Sequence, residues 1–368
     1  MISPSIHDDE SVIPYAFDLS ISNEQYIYPG SKLSGHVVAR LAKDLEIATV
    51  CVTLRGTSKV QFSKKKPDLG KDVSNAYSKE NFQKYENTII VIHKEFEVCR
   101  PDKKITDTKA GAYSWPFSFT LPKNAPISFA GLKGKIKYSI SLSATVPGYQ
   151  KTPNFTLKKQ IKVIPFVDAK TIDFQKEQAT LTKLFAAEAA VTGKKKSKET
   201  AGKIKLEFVL SKNIYFLKDY INFKIKVHNF TAEKRAAAVH ILVRQDTEYI
   251  GKIQDGVDKN GLSKFVVYKQ LDSKIIAENK DELPNIKGAD ITFEGMLEFA
   301  NARPDFKYVK GNIQAKTVVV IEIIPGEGQQ FNERVMFEVP ITITAVESNA
   351  TMPSTFKQKT GGCCGKKK

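Results

Sequence analysis

YSWPFSFTLPKNAPISFAGLKGKIKYSISLSATV, residues 113–146, contains two runs, WPFSFTL and KIKYSISLSATV, in which apolar and polar side chains take turns. A period of two places residues i, i+2 and i+4 on one face of an extended chain, so each run reads as a strand with a dry side and a wet side. Between them PKNAP (122–126) supplies a reversal, since proline presets φ at the first central turn position.

The same rhythm recurs along the chain, in KLSGHVVARL (32–41), ATVCVTLRG (48–56), KIKLEFVL (203–210), YINFKIKVHN (220–229), KTVVVIEII (316–324) and MFEVPITITAV (336–346). Turn signals separate the runs: YPGS at 28–31, QDGVDKNG at 254–261 and PGEG at 325–328. Many short alternating strands with such turns predict an all-β protein of two-sheet sandwiches; a barrel fits this length less well.

A chain of 368 residues is long for one core and suits two domains of about 150 residues each. Apolar residues make up 41% and aromatic residues 10%, enough to build ordinary globular cores. MISPSIHDDESVIPYAF at the start has no basic stretch followed by an apolar one, and no run of about 18 apolar residues occurs, so neither a signal peptide nor a membrane span is expected. Cys51 and Cys99 stand alone in strand-like stretches, and Cys363 and Cys364 are adjacent; no disulfide framework or zinc spacing follows, which points to the reducing cytosol. Lys and Arg exceed Asp and Glu by 57 to 40, a formal charge of +17. Such an excess favours anionic partners, or serves solubility alone.

Three places break the alternation. DFQKEQATLTKLFAAEAAV (173–191) is rich in Ala, Leu, Lys and Glu, with Leu181, Leu184, Phe185 and Val191 close to one helical face. A short helix is expected there, packed on a sheet or lying at a membrane surface, followed by the basic loop TGKKKSKETAGK. The insert 63–87 is polar and Lys-rich and reads as a long surface loop. After Val346 little remains to bury, which predicts a disordered tail. The expected organisation is an N-terminal tail (1–12), a first domain (13–168), a linker with the helix and basic loop (169–202), a second domain (203–347) and a basic tail (348–368).

YIYPGSKLSGHVVARLAKDLEIATVCVTLRGTSKV (26–60) resembles the opening of an arrestin-type N-domain, in particular that of the α-arrestin or arrestin domain-containing family: Tyr28, Pro29 and Gly30 form its turn and Gly35 follows. The block 113–146 is similar to that family's pattern through Phe117, Phe119, Leu121 and Pro122, then Pro126, Ser128 and Phe129, then Gly134, Ile136 and Tyr138. GKIKLEFVLSKNIYFLKDYINFKIKVHNFTAEKRAAAVHILVRQ (202–245) resembles the start of an arrestin C-domain, but has Leu217-Lys218 where the family usually has Pro-Gly. The resemblance spans about residues 13–346. It implies two consecutive arrestin-type, immunoglobulin-like β-sandwiches, and an adaptor that is not an enzyme: a scaffold in membrane protein trafficking, in endocytosis or endosomal sorting, cytoplasmic and peripheral at the plasma membrane or endosomes. A retromer-type coat subunit has the same architecture and is the alternative. A ubiquitin ligase remains a possible partner, although the chain has no Pro-Pro-x-Tyr for WW-domain recruitment.

Residues that carry chemistry are sparse. His7, His36, His93, His228 and His240 sit in no metal-binding frame, and GLKGKIK (131–137) lacks the Lys-Ser/Thr of a phosphate loop and leads into a strand. No cofactor, metal or catalytic residue is expected; an enzyme would need a site dispersed over distant strands. Basic clusters remain: Lys133, Lys135 and Lys137, which alternation would put on one sheet face; Lys194, Lys195 and Lys196; Lys64 to Lys66; and Lys158 with Lys159. They are ordinary solvated faces, or they hold acidic or phosphorylated tails of membrane proteins or an anionic membrane surface. No aromatic residues interleave with them to stack bases, so nucleic acid is not expected. In GGCCGKKK (361–368) Cys364 is one place too early for prenylation. Cys363 or Cys364 could instead carry an acyl chain beside Lys366, Lys367 and Lys368, giving lipid plus charge, or the two are an inconsequential thiol pair.

Overall fold

At Tyr28–Ser31 the Ser31 amide donates to the Tyr28 carbonyl at 2.9 Å and Gly30 sits at φ 85°. This is a type II turn, whose second central residue needs the positive φ that glycine reaches without strain. The Ser31 hydroxyl accepts from the Tyr28 amide at 3.0 Å and closes the turn from inside. The structure is a computed structural model that describes residues 13–22, 24, 27–66, 81–99, 108–147, 154–165, 179–187, 202–217, 219–229, 236–282, 290–299, 301–308, 310–325 and 336–344.

Strands β1 (Tyr15–Ile21), β2 (Lys32–Leu41) and β5 (Gly111–Thr120) form an antiparallel sheet in the order β1-β2-β5. Against it packs a second layer made by β3 (Thr49–Lys65), β4 (Phe82–Cys99), β7 (Gly134–Thr145) and β8 (Asn154–Ile161), with the two-residue β6 (Phe129–Ala130) beside β8 on the same edge of β7. Alternation becomes burial: Leu33, Val37 and Ala39 of β2 and Val50, Val52 and Leu54 of β3 are fully buried. Each large apolar side chain removed from water contributes roughly 1.5–3 kcal/mol. Gly35 faces the same core. A Cβ there would lie 2.0 Å from the Ser20 carbonyl oxygen and 2.6 Å from the Phe117 ring, so the position admits no side chain.

The second core lies between the sheet β15-β12-β10-β9, made of β9 (Ala179–Ala187), β10 (Gly202–Leu210), β12 (Tyr220–Asn229) and β15 (Asp290–Glu298), and a layer of β11 (Ile214–Phe216), β13 (Ala236–Val257), β14 (Ser263–Glu282), β16 (Ile313–Pro325) and β17 (Met336–Thr344). Leu206, Phe208, Ile221, Ile225, Val319 and Ile321 are buried between them. At the Leu217-Lys218 departure, Asp219 makes the turn: its carboxylate accepts from the Phe216 amide at 3.1 Å and pairs with Lys212, while its own amide donates to the Phe216 carbonyl at 3.0 Å.

One long sheet crosses both cores, because β13 meets β4 at Lys252 opposite Glu86. Buried polar groups reinforce the seam. The Ser58 hydroxyl donates to Asn312 Oδ1, Asn312 Nδ2 donates to the Asn87 carbonyl at 2.7 Å, and Asn87 Nδ2 donates to the Ile250 carbonyl at 3.0 Å. Tyr249 and Ile313, from the second half of the chain, are buried in the first core.

The expected helix at 173–191 is overturned where the structure describes it. Residues 179–187 are strand β9, in antiparallel register with β10 from Gly202 opposite Ala187 to Leu210 opposite Ala179. Helix propensity differs among such residues by only a few tenths of a kcal/mol, about 0.7 at most, and an unfilled sheet edge that satisfies a row of backbone groups outweighs it. Residues 173–178 and 188–191 lie outside the described residues, as do most of the basic loop and the tail beyond 344. Of the expected loop 63–87, residues 63–65 extend β3 and 82–87 begin β4, and 67–80 are not described.

Candidate docking surface

β7 is the centre of the basic surface. Ile136 and Tyr138 are buried, so Lys135 and Lys137 stand on the opposite, exposed face. Tyr138 anchors the strand: its hydroxyl donates to the Pro126 carbonyl, and burial pushes its ionisation well above the ordinary tyrosine range. Lys133 does not join this face. The Gly131 amide donates to the Gly134 carbonyl at 2.8 Å, and this bend ends the alternation before β7 starts. Lys133 is instead half-buried and ion-paired with Asp272 of β14, which makes it part of the seam between the two halves.

Register adds basic residues from neighbouring strands. On β3, Lys59 lies opposite Lys135, Thr57 opposite Lys137 and Arg55 opposite Ser139. Two lysines directly opposite each other on one sheet face repel, and a bound anion relieves the repulsion. On the other edge of β7, exposed Lys162 follows the end of β8, and it shares with Lys137 a cleft of about 390 Å³ that Ser128, Phe129 and Gln160 also line. Among the described residues none of Lys59, Lys135, Lys137 and Lys162 is ion-paired. Acids share the face: Glu86 of β4 lies opposite Gln61 of β3, where its bond to Lys84 and then the charge of Lys59 hold it below the ordinary carboxylate range, and at the far end Glu95 and Glu97 lie opposite Thr53 and Cys51.

The Lys158–Lys159 pair is split by the pleat. Lys158 faces solvent, whereas Lys159 turns back to β1, donating to the Leu19 carbonyl and to Asp18 at 3.2 Å. Asp18 is held below the usual carboxylate range by the Leu19 amide and then by Lys159. Lys194, Lys195, Lys196, Lys366, Lys367, Lys368, Cys363 and Cys364 lie outside the described residues. Lys59 and Lys162 are the contributions that reading the sequence missed. The alternation of TLRGTSKV gives Lys59 a face, but no run of residues states which strand lies beside which.

Among the described residues no group of three or more His, Cys, Asp or Glu could hold a metal ion, and no helix is long and apolar enough to cross a membrane. The surface around β7 offers exposed charge and a shallow cleft.

The profile of the arrestin (or S-antigen) N-terminal domain matches residues 16–170. Arrestin domain-containing protein 17 of Caenorhabditis elegans is 26% identical over 242 residues, 64% of this chain and 52% of the relative. Arrestin domain-containing protein 1 of Homo sapiens is 27% identical over 184 residues, 48% of this chain and 36% of the relative, and its Mus musculus counterpart is 27% identical over the same shares. The chain thus spans about half or less of the length of the curated relatives it matches. The two sandwiches, the turn at Tyr28–Ser31 and the strands at 113–146 agree with these likenesses, and residues 16–170 match the arrestin N-terminal domain.

Proposed function

We propose that the chain is an adaptor in membrane protein trafficking that holds acidic or phosphorylated cytoplasmic tails of cargo proteins at a membrane surface. The observation that carries this reading is the basic face itself. Lys59, Lys135, Lys137 and Lys162 come from three neighbouring segments of one sheet layer, are exposed and lack ion-pair partners among the described residues. A phosphate or a run of carboxylates laid across them gains charge-assisted hydrogen bonds at several points at once. In the same reading the domains run 13–168 and 203–347. An acyl chain on Cys363 or Cys364, with Lys194 to Lys196 and Lys366 to Lys368, adds affinity for the cytoplasmic leaflet.

Fluorescence anisotropy of the full chain with a labelled acidic peptide and its phosphorylated form tests the proposal. Affinity is expected to fall steeply as salt rises and to drop about tenfold or more in Lys135→Glu/Lys137→Glu, since each lost charge contact is a strong one. Binding that ignores both salt and the substitutions removes this face from the reading. Membrane fractionation of Cys363→Ser/Cys364→Ser tests the tail separately, and unchanged association refutes its role.

A further inference from the structure

β13 and β14 form a hairpin that outruns β16. β16 accompanies β13 only as far as Tyr249, and β4 touches it at Lys252; beyond that point, among the described residues, β13 and β14 pair only with each other. Asp258 closes the tip, its carboxylate accepting from the amides of Asn260 and Leu262 at 2.8 Å each, with Gly261 at φ 77°. An isolated two-stranded ribbon is marginally stable in water.

This tip is apolar where solvent would ask for polar residues. Val257, Leu262, Phe265, Val266 and Val267 are all exposed, Leu262 by 66% and Phe265 by 56%. Phe265, Val266 and Val267 are consecutive, so they point to both faces of the ribbon. A protein partner laid on the sheet would cover one face only. A bilayer surrounds an inserted tip on all sides.

Charge favours the same occupant. Lys252, Lys259 and Lys264 flank the apolar residues and are exposed. The last described residues of β3 and β4 lie level with the tip, since Phe82 precedes Glu86 by as many residues as Gly256 follows its partner Lys252. That end adds exposed Lys64, Lys65 and Lys66, with Lys64 Nζ 3.8 Å from the Tyr268 ring centre. Among the described residues the opposing acids near the tip are Asp258, engaged in the turn, Asp255, and Glu86 opposite Lys252.

We infer that the β13–β14 tip inserts into an anionic bilayer, with Val257, Leu262 and Phe265 entering the acyl boundary and the surrounding lysines resting among the headgroups. The insertion builds on the membrane-surface part of the proposed adaptor role and needs neither the basic face of β7 nor the cysteine tail.

Co-sedimentation of the full, unacylated chain with vesicles of phosphatidylcholine and of phosphatidylcholine mixed with phosphatidylserine tests it. Binding is expected on the mixed vesicles, and Leu262→Ser/Phe265→Ser is expected to weaken it about tenfold or more, as loss of two inserted apolar side chains requires. Both residues are exposed, so the variant should melt like the parent. Phe265→Trp is expected to gain fluorescence quenched by brominated lipid, above the contribution of Trp115. Failure of the parent to bind either vesicle, equal binding by parent and double variant, or an unquenched Trp overturns the inference. So does loss of peptide rather than vesicle binding in the double variant, which would assign the tip to a protein partner. Peptide anisotropy on the same samples reports the β7 face independently, so either surface can fail alone.

Discussion

Asp305 gives the chain a stability that depends on pH in a calculable way. Its carboxyl is buried beneath β17 and β16, where Oδ2 accepts from the Ile343 amide at 2.8 Å and Oδ1 from the Thr317 hydroxyl at 2.7 Å and Gln245 Nε2 at 3.3 Å. Burial outweighs these donors and pushes the group from the ordinary 3.8 up to about 6. The folded state therefore binds this proton more tightly than the unfolded chain does. The resulting stabilisation is complete below the unfolded value and is lost as pH rises through about 6. The full difference corresponds to about 3 kcal/mol, of which about 1.4 kcal/mol falls between about pH 5 and about pH 7.5. In a core of this size that is about 3–5 °C in melting temperature. Asp305→Asn removes the titration. It keeps an oxygen for Thr317 and Gln245 but turns an amide toward the Ile343 N–H, which costs about 1–3 kcal/mol at low pH. The variant should melt below the parent at about pH 5, and the gap should narrow by about 3–5 °C by about pH 7.5. Subtracting the two melting curves cancels every other titrating group. A gap that stays constant, or widens as pH rises, refutes the reasoning.

Asn312→Ala strips the seam of its central amide and orphans the buried Ser58 hydroxyl and the half-buried Asn87 carbonyl, at a cost of about 2–4 kcal/mol; urea unfolding should show a lower midpoint, and a midpoint within error of the parent would mean the seam carries no stability. Gly35→Ala forces a methyl against the Ser20 carbonyl and the Phe117 ring, and the loss should exceed the roughly 1–3 kcal/mol of ordinary overpacking; a parent-like melting temperature would show that the strand can shift to make room. Asp219→Ala removes the acceptor of the Phe216 amide and should cost about 1 kcal/mol by thermal melting, with no loss of peptide binding at the β7 face; a weakened peptide affinity would tie that turn to the docking surface.

What the sequence makes legible follows from how local each signal is. The turn at Tyr28–Ser31 and the strands in 113–146 are written in consecutive residues, and the structure has them where alternation and turn chemistry put them. β9 was misread because Ala, Leu and Lys favour a helix by little, while the open edge of β10 lies far from it in composition and close to it only in space. Lys133 was grouped with Lys135 and Lys137 because parity extends only as far as the strand does, and the Gly131 to Gly134 bend cuts it short. Lys59 and Lys162 join the basic face through register, a property of strand pairing that alternation leaves open. The exposed tip of the β13–β14 hairpin reads only as a turn, since nothing in QDGVDKNG or the apolar run after it says that the ribbon extends past β16.

The two proposed surfaces sit on one frame, and the seam explains why that matters. A cytoplasmic tail is tethered to the bilayer it leaves, so an adaptor that touches both must keep its tail-holding face at a fixed distance from its bilayer contact. Here the basic face rides on β3 and β7 and the apolar tip on β13 and β14. Three ties join the halves of the chain that carry them: the contact of β13 with β4 at Lys252 and Glu86, the Ser58–Asn312–Asn87 amide network, and the Lys133–Asp272 ion pair just before β7. Loosening the seam with Asp272→Ala should therefore leave each surface able to bind its own ligand, peptide in solution or vesicle alone, while lowering the gain in affinity seen when the acidic peptide is anchored to the vesicle. If anchored binding survives undiminished, the two surfaces act without a shared geometry and the frame has no part in docking.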